Sequence, residues 1–222
     1  MDENEKIKIC FVGEQFVGKS SFVKRFVEGK FSANYLGTLF MNLNLKRIQV
    51  GNTEYILSLN DLSGNEKFGS NILQIIKKST LIIFMYDITK QESFDSIPKW
   101  IEIVNKNNKN EGLQMILIGN KMDLEERKIA KETGKNFAAQ NRIDFFEISC
   151  KTEENVHEAI LFIIKKALNL PNNFAGEIIM DQKNLNQPKI NNKKKKVVVA
   201  VSSGVYYKYF KINLIYLIKD TN

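Results

Sequence analysis

Cysteine, histidine and tryptophan are scarce in this chain: two, one and one among 222 residues. Cys10 and Cys150 are too few for a disulfide framework and read as small buried hydrophobes. With His157 the lone imidazole, no zinc site can be assembled from nitrogen and sulfur ligands. Residues 1–6 are polar, with no apolar stretch of signal-peptide type, so a reducing, cytoplasmic setting is expected. Residues 197–218 are apolar, but Ser202, Ser203, Lys208 and Lys211 break the run below the ~18 uninterrupted residues of a spanning helix. No internal repeat is present.

The hydrophobic share of 43% and the charged share of 26% are ordinary for a globular protein. The length suits one domain plus an appendage, at roughly 100–200 residues per domain. The net charge of +8 is unevenly placed: 24 Lys and Arg stand against 22 Asp and Glu over residues 1–170, and 9 against 3 over 171–222. A near-neutral body with a basic end points to an anionic membrane surface as partner rather than to nucleic acid.

Short apolar runs at 7–12, 55–59, 81–86, 115–118 and 145–148 read as strands with little polar alternation, as burial on both faces requires. Segments of helical length lie between them, including 20–28, 97–105, 128–140 and 156–168. This alternation predicts a doubly wound α/β domain. Residues 40–50, with Asn42, Asn44 and Lys46 between apolar neighbours, alternate as an edge strand does, and Gly51-Asn52 turns the chain into the next strand. The expected sheet is therefore six-stranded and mostly parallel, with one antiparallel edge hairpin and helices on both faces. Residues 1–170 form this domain, 171–196 read as a polar, basic, solvated linker, and 197–222 as an apolar tail.

Gly13-Glu14-Gln15-Phe16-Val17-Gly18-Lys19-Ser20 fits G-x-x-x-x-G-K-S between a strand and a helix, the context that gives the motif its meaning. Glycines let backbone N–H groups turn toward phosphate oxygens, and the helix N-terminus adds favourable field. Lys19 would reach the β- and γ-phosphates and Ser20 would ligate Mg²⁺. Asn120-Lys121-Met122-Asp123 follows a strand at the carboxyl edge, where open α/β sheets bind ligands. A carboxylate at Asp123 can accept the N1–H and the exocyclic amine of guanine, while adenine has an unprotonated N1 there. The stem of Lys121 would pack over the ring. Ser149-Cys150-Lys151 adds a third loop on the same edge.

These motifs, with Thr38 and Asp61-Leu62-Ser63-Gly64-Asn65-Glu66 in order between them, resemble the Ras-superfamily small GTPases over about residues 7–168. Tyr86-Asp87-Ile88-Thr89-Lys90-Gln91-Glu92-Ser93-Phe94 and Lys99-Trp100 are most similar to the Rab branch. The resemblance implies a P-loop GTPase domain that binds GTP or GDP with Mg²⁺. Nucleotide contacts would come from Gly13, Gln15, Val17, Gly18, Lys19, Ser20, Ser21, Phe31, Tyr35, Thr38, Gly64, Asn120, Lys121, Asp123, Ser149, Cys150 and Lys151. Phe31 would stack edgewise on the base. Ser20, Thr38 and Asp61 would hold Mg²⁺, Asp61 through water, and catalysis would involve Lys19, Asn65, Thr38 and Gly64. Loss of the γ-phosphate would release Thr38 and Gly64, and their loops would relax.

The chain departs from the family pattern in both switch regions and at its basic end. Asn65 stands where the family has a glutamine that orients the attacking water, about 1.5 Å shorter in reach, and a ~1 Å misplacement can cost on the order of 100-fold in rate. Gln15 replaces a small residue and would crowd the γ-phosphate. Slow intrinsic hydrolysis is expected. Leu39-Phe40-Met41-Asn42-Leu43, Asn60 and Ile75-Ile76 replace the Rab effector-facing residues, so partner choice should differ. No cysteine follows Cys150 to take a prenyl group; the end of the chain reads as a disordered basic tail, as a segment in which Lys193 to Lys196 and residues 197–218 adhere to a membrane directly, or as the product of a reading frame that slips at the lysine run. The expected role is a vesicle-trafficking switch on the cytoplasmic face of an endomembrane. An exchange factor, a GTPase-activating protein and effectors would be its partners. The alternatives are a non-hydrolysing GTP-bound scaffold and, against the weight of Asn120 to Asp123, a P-loop ATP-dependent kinase or ATPase.

Overall fold

The computed structural model describes residues 6–32, 38, 41–64, 70–171, 173–181 and 196–200. β1 (Lys6–Val12) leads through the phosphate loop into α1 (Lys19–Glu28). β2 (Met41–Val50), β3 (Thr53–Leu62), α2 (Ser70–Lys78), β4 (Leu81–Asp87), α3 (Gln91–Asp95) and α4 (Ile97–Asn107) follow. The chain continues with β5 (Gln114–Asn120), α5 (Lys131–Gln140), β6 (Asp144–Glu147), α6 (Val156–Ala167), β7 (Glu177–Asp181) and β8 (Lys196–Ala200). All eight strands form one sheet in the order β6-β5-β4-β1-β3-β2-β7-β8. Pairing is parallel from β6 across to β3 and antiparallel from β3 outward to β8.

The lack of polar alternation in the central strands has a direct cause: the sheet has a core on each face. Along β1, Ile9 and Phe11 enter one core with α1 and α6, while Cys10 and Val12 enter the other. β4 divides the same way, Ile83 and Met85 against Phe84 and Tyr86. Period-two side-chain direction with apolar cover on both sides demands hydrophobes at every position. α1 meets the first core with Phe22, Val23, Phe26 and Val27, spaced as one helical stripe. α4 meets the second with Ile97, Trp100, Ile101 and Val104, so Trp100 is a packing residue, 2% exposed. Gly134 sits inside α5 because a Cβ there would stand 2.4 Å from the Tyr86 hydroxyl.

Four expectations need correction. Among the described residues the sheet has eight strands rather than six. β2 is not a free edge, because β7 pairs with it at Ile48, Gln49 and Val50. The segment read as a solvated linker thus carries a strand, whose Ile178 is fully buried in the first core with Phe174 and Met180 against it. Three consecutive apolar residues, Ile178 to Met180, drew little notice in an Asn- and Lys-rich stretch, yet three suffice for a strand on an already formed edge. The expected helix from 128 begins at Lys131, since Lys128 and Ile129 both donate their N–H groups to the Ile88 carbonyl instead. α2 and α3 lay outside the expected segments. Tyr35, Asn65 and the polar stretch 182–195 lie outside the described residues, as does the tail beyond Ala200.

Candidate functional site

The carboxyl ends of β1, β4 and β5 bring the motif loops together. Gly13 takes φ +135° and a Cβ there would meet the Met85 carbonyl oxygen at 2.1 Å, while Gly18 takes φ +102° with Asn120 Nδ2 2.1 Å from the place of its Cβ. Both positions exclude any side chain. The loop closes around Lys19, 6% exposed, whose Nζ donates to the Gly13 carbonyl at 2.8 Å and the Glu14 carbonyl at 2.7 Å. Burial pulls the Lys19 ammonium down to about 8, against the opposing pull of Asp61 and Glu14. Gly64 rests on this loop, with the backbone of Glu14 and Gln15 2.2 Å from where a Cβ would be. Gln15 is exposed. Phe16 is 54% exposed at φ +64°, a conformation that bulky residues seldom take.

At the metal end, Ser20 Oγ and Thr38 Oγ1 are 2.9 Å apart and Thr38 Oγ1 donates to Asp61 Oδ2 at 3.5 Å. Asp61 is 1% exposed and its Oδ1 has no hydrogen-bond partner among the described residues. Burial raises its carboxyl above the ordinary range, opposed by the Ser20 hydroxyl, Lys19 and Thr38. Two hydroxyls and a carboxylate are a hard-oxygen set, and an unpartnered buried carboxylate oxygen among them fits a small divalent cation such as Mg²⁺.

The base end is more tightly joined. Asn120 Nδ2 donates to the Val17 carbonyl at 2.9 Å and its Oδ1 accepts the Cys150 N–H at 3.1 Å, pinning the phosphate loop to the third loop. Ser149 Oγ donates to Asp123 Oδ1 at 2.6 Å, and Lys151 Nζ stands 3.8 Å from Oδ2. Lys121, at φ +71°, turns its ammonium onto Asp87 Oδ2 at 2.5 Å. Burial pushes the Asp87 carboxyl up, but Lys121 and Thr89 outweigh it and hold it below the usual range. Burial lifts the Cys150 thiol to about 12, which leaves it inert.

A cavity of about 330 Å³ opens between Lys19 and Ser20 on one side and Asn120, Asp123 and Lys151 on the other, within the usual size of a small-molecule site. Of the expected residues, Gly18, Lys19, Ser20, Ser21, Phe31, Asn120, Lys121, Asp123, Cys150 and Lys151 line it. Gly13, Gln15, Val17, Thr38, Asp61, Gly64 and Ser149 stand behind or beside it, and do not line it. Phe16, Ser32 and Leu124 also line it and were not among the expected contacts. Two further residues were missed. Asp87 ends β4 in register with Asn120, a position that could have marked it. Arg25 reaches the third loop from α1, and nothing in the motif spacing signalled that.

Residues 8–169 match the model of the Ras family. Among its relatives, the Ras-related protein SEC4 of Saccharomyces cerevisiae is 33% identical over 162 residues, 73% of this chain and 74% of the relative. The Ras-related protein Rab-13 of Rattus norvegicus is 32% identical over 72% of this chain and 79% of its own length. The Ras-related protein Rab-12 of Homo sapiens is 32% identical over 73% and 67%. With the phosphate loop, the oxygen set and the base end gathered at one cavity, this chain belongs to the Ras family and is a Rab-like small GTPase of the Ras superfamily.

Proposed function

We propose that this chain is a GTP-binding and GTP-hydrolysing switch of the Rab type with slow intrinsic hydrolysis, acting in vesicle and membrane traffic. The observation that carries the reading is that Lys19, Ser20 and Asp123 line one cavity, with Thr38 and Asp61 clustered on Ser20 and Ser149 bonded to Asp123. In this reading Lys19 gives up its two loop carbonyls for the β- and γ-phosphates. Asp123, oriented by Ser149, accepts the two guanine hydrogens. Phe31 covers the base from the open side. Bound Mg²⁺, held by Ser20, Thr38 and Asp61, supplies charge neutralisation on the phosphates. Thr38 and Gly64 report the γ-phosphate.

Slow turnover is argued from Gln15 and Asn65. Gln15 is an exposed side chain on the phosphate loop, beside the segment that Gly64 contacts. Asn65 lacks one methylene of the water-orienting amide. The basic segment 171–222 supports peripheral adhesion to the cytoplasmic face of an endomembrane. No helix among the described residues is long and apolar enough to cross a membrane. Exchange factor, activating protein and effectors follow the family, with altered effector choice at Met41 and Leu43, 39% and 44% exposed.

Single-turnover hydrolysis of Mg²⁺–GTP tests the reading. Asn65→Gln should accelerate release of phosphate by about 10- to 100-fold. An unchanged measurable rate removes the explanation for slow turnover, and no hydrolysis by either protein favours a GTP-bound scaffold.

A further inference from the structure

Arg25 sits in the last turn of α1, its side chain only 10% exposed. Its Nε donates to the Cys150 carbonyl at 2.8 Å and its Nη2 to the Lys151 carbonyl at 3.0 Å. Nη1 donates to the Gly29 carbonyl at 3.2 Å and also pairs with Glu153. The guanidinium carbon lies 5.7 Å from the centre of the Phe31 ring. One planar group therefore touches two consecutive carbonyls of the third loop, the turn that ends α1, and the aromatic at the cavity mouth. An exposed ion pair alone would contribute little. The carbonyl contacts are different, because they need donors in a fixed fork, which arginine has and lysine lacks.

The grip on residues 150 and 151 acts through short links. The Cys150 N–H is bonded to Asn120, Ser149 is bonded to Asp123, and the Lys151 ammonium stands beside the other Asp123 oxygen. Phe31 is reached by cation–π attraction across the cavity mouth. We infer that Arg25 is a positioning residue of the base end, clamping residues 149–151 and Phe31 so that Asp123 faces the base squarely. This rests on the reading of the cavity as a guanine-nucleotide site.

The test compares release of GDP and of IDP from the full chain, with Arg25→Lys, Glu153→Gln and the parent protein. IDP lacks the exocyclic amine that Asp123 would accept, so a loosened Asp123 should matter less to it. Arg25→Lys keeps the charge and most of the stem, so the fold should survive. It should release GDP about tenfold faster, the equivalent of one hydrogen bond at ~1.4 kcal/mol, with a smaller change for IDP. Hydrogen exchange should rise at the Cys150 and Thr152 amides while β4 stays protected. Glu153→Gln, which spares both carbonyl contacts, should change release by less than about threefold. Equal acceleration of both nucleotides, or unchanged release with unchanged local exchange, overturns the inference and leaves Arg25 a structural residue. If the parent protein retains neither GDP nor IDP, the guanine reading fails and takes the inference with it.

Discussion

The two ends of the cavity are built differently. At the base end the protein cross-links its own functional groups: Asn120 bridges two loops, Asp123 accepts from Ser149, Lys121 forms an ion pair with Asp87, and Arg25 fastens the third loop. At the metal end, two hydroxyls meet a buried carboxylate that has one oxygen unpartnered among the described residues. The first arrangement presents a fixed surface to a ligand, which limits the ordering cost of binding. The second holds an unfavourable burial that a bound cation would relieve, which would couple occupancy to local structure there. A switch needs this division, with recognition constant and the response confined to one end.

The largest effect that would sharpen the comparison is at Lys19, which on the proposed reading serves the phosphates between the two ends. Lys19→Ala would remove the proposed charge-assisted contacts to two phosphates, and titration with a fluorescent GTP analogue should show about a thousandfold weaker binding. Next comes the base end. Lys121→Ala leaves Asp87 as a buried carboxylate without its cation, a change that costs about 3 kcal/mol and is read from denaturant unfolding. The pH sign follows from the depressed Asp87 value. The unfolded chain takes up this proton first as pH falls, so the stabilisation is full above the ordinary carboxylate range and is lost below it. Asp87→Asn should remove that part of the acid limb.

The smallest effect tests the metal end and has two signs. Asp61→Asn replaces a strained buried carboxylate by a neutral amide, so without Mg²⁺ the variant should be about 1 kcal/mol more stable, a rise of roughly 2–4 °C in Tm. With Mg²⁺ present it should release GDP faster than the parent, and chelation should erase that difference. A variant less stable than the parent without metal would contradict the account of stored burial.

Much of this was legible because strong chemistry leaves short-range marks. Gly13, Gly18 and Lys19 are fixed by their own spacing, and the packing confirms why each glycine must be one. The doubly buried strands announced themselves through unbroken apolar runs. Asp87, Arg25 and β7 were not legible, for different reasons. Asp87 acts across a strand register, Arg25 acts over 125 residues of separation, and β7 exists because β2 offers an edge to a segment with little strand signal of its own. Tertiary context decided all three. Phe16 lay between: its place in the phosphate-loop motif was plain in the sequence, while its exposure and left-handed backbone required the fold.

The central claim is a guanine-nucleotide switch that turns over slowly. Its most direct test is the identity of the nucleotide released on denaturing the purified full-length chain. The account predicts guanine nucleotide in near-equal amount to protein, mostly as GTP. GDP as the main species contradicts the slow turnover, and adenine nucleotide contradicts the base reading itself.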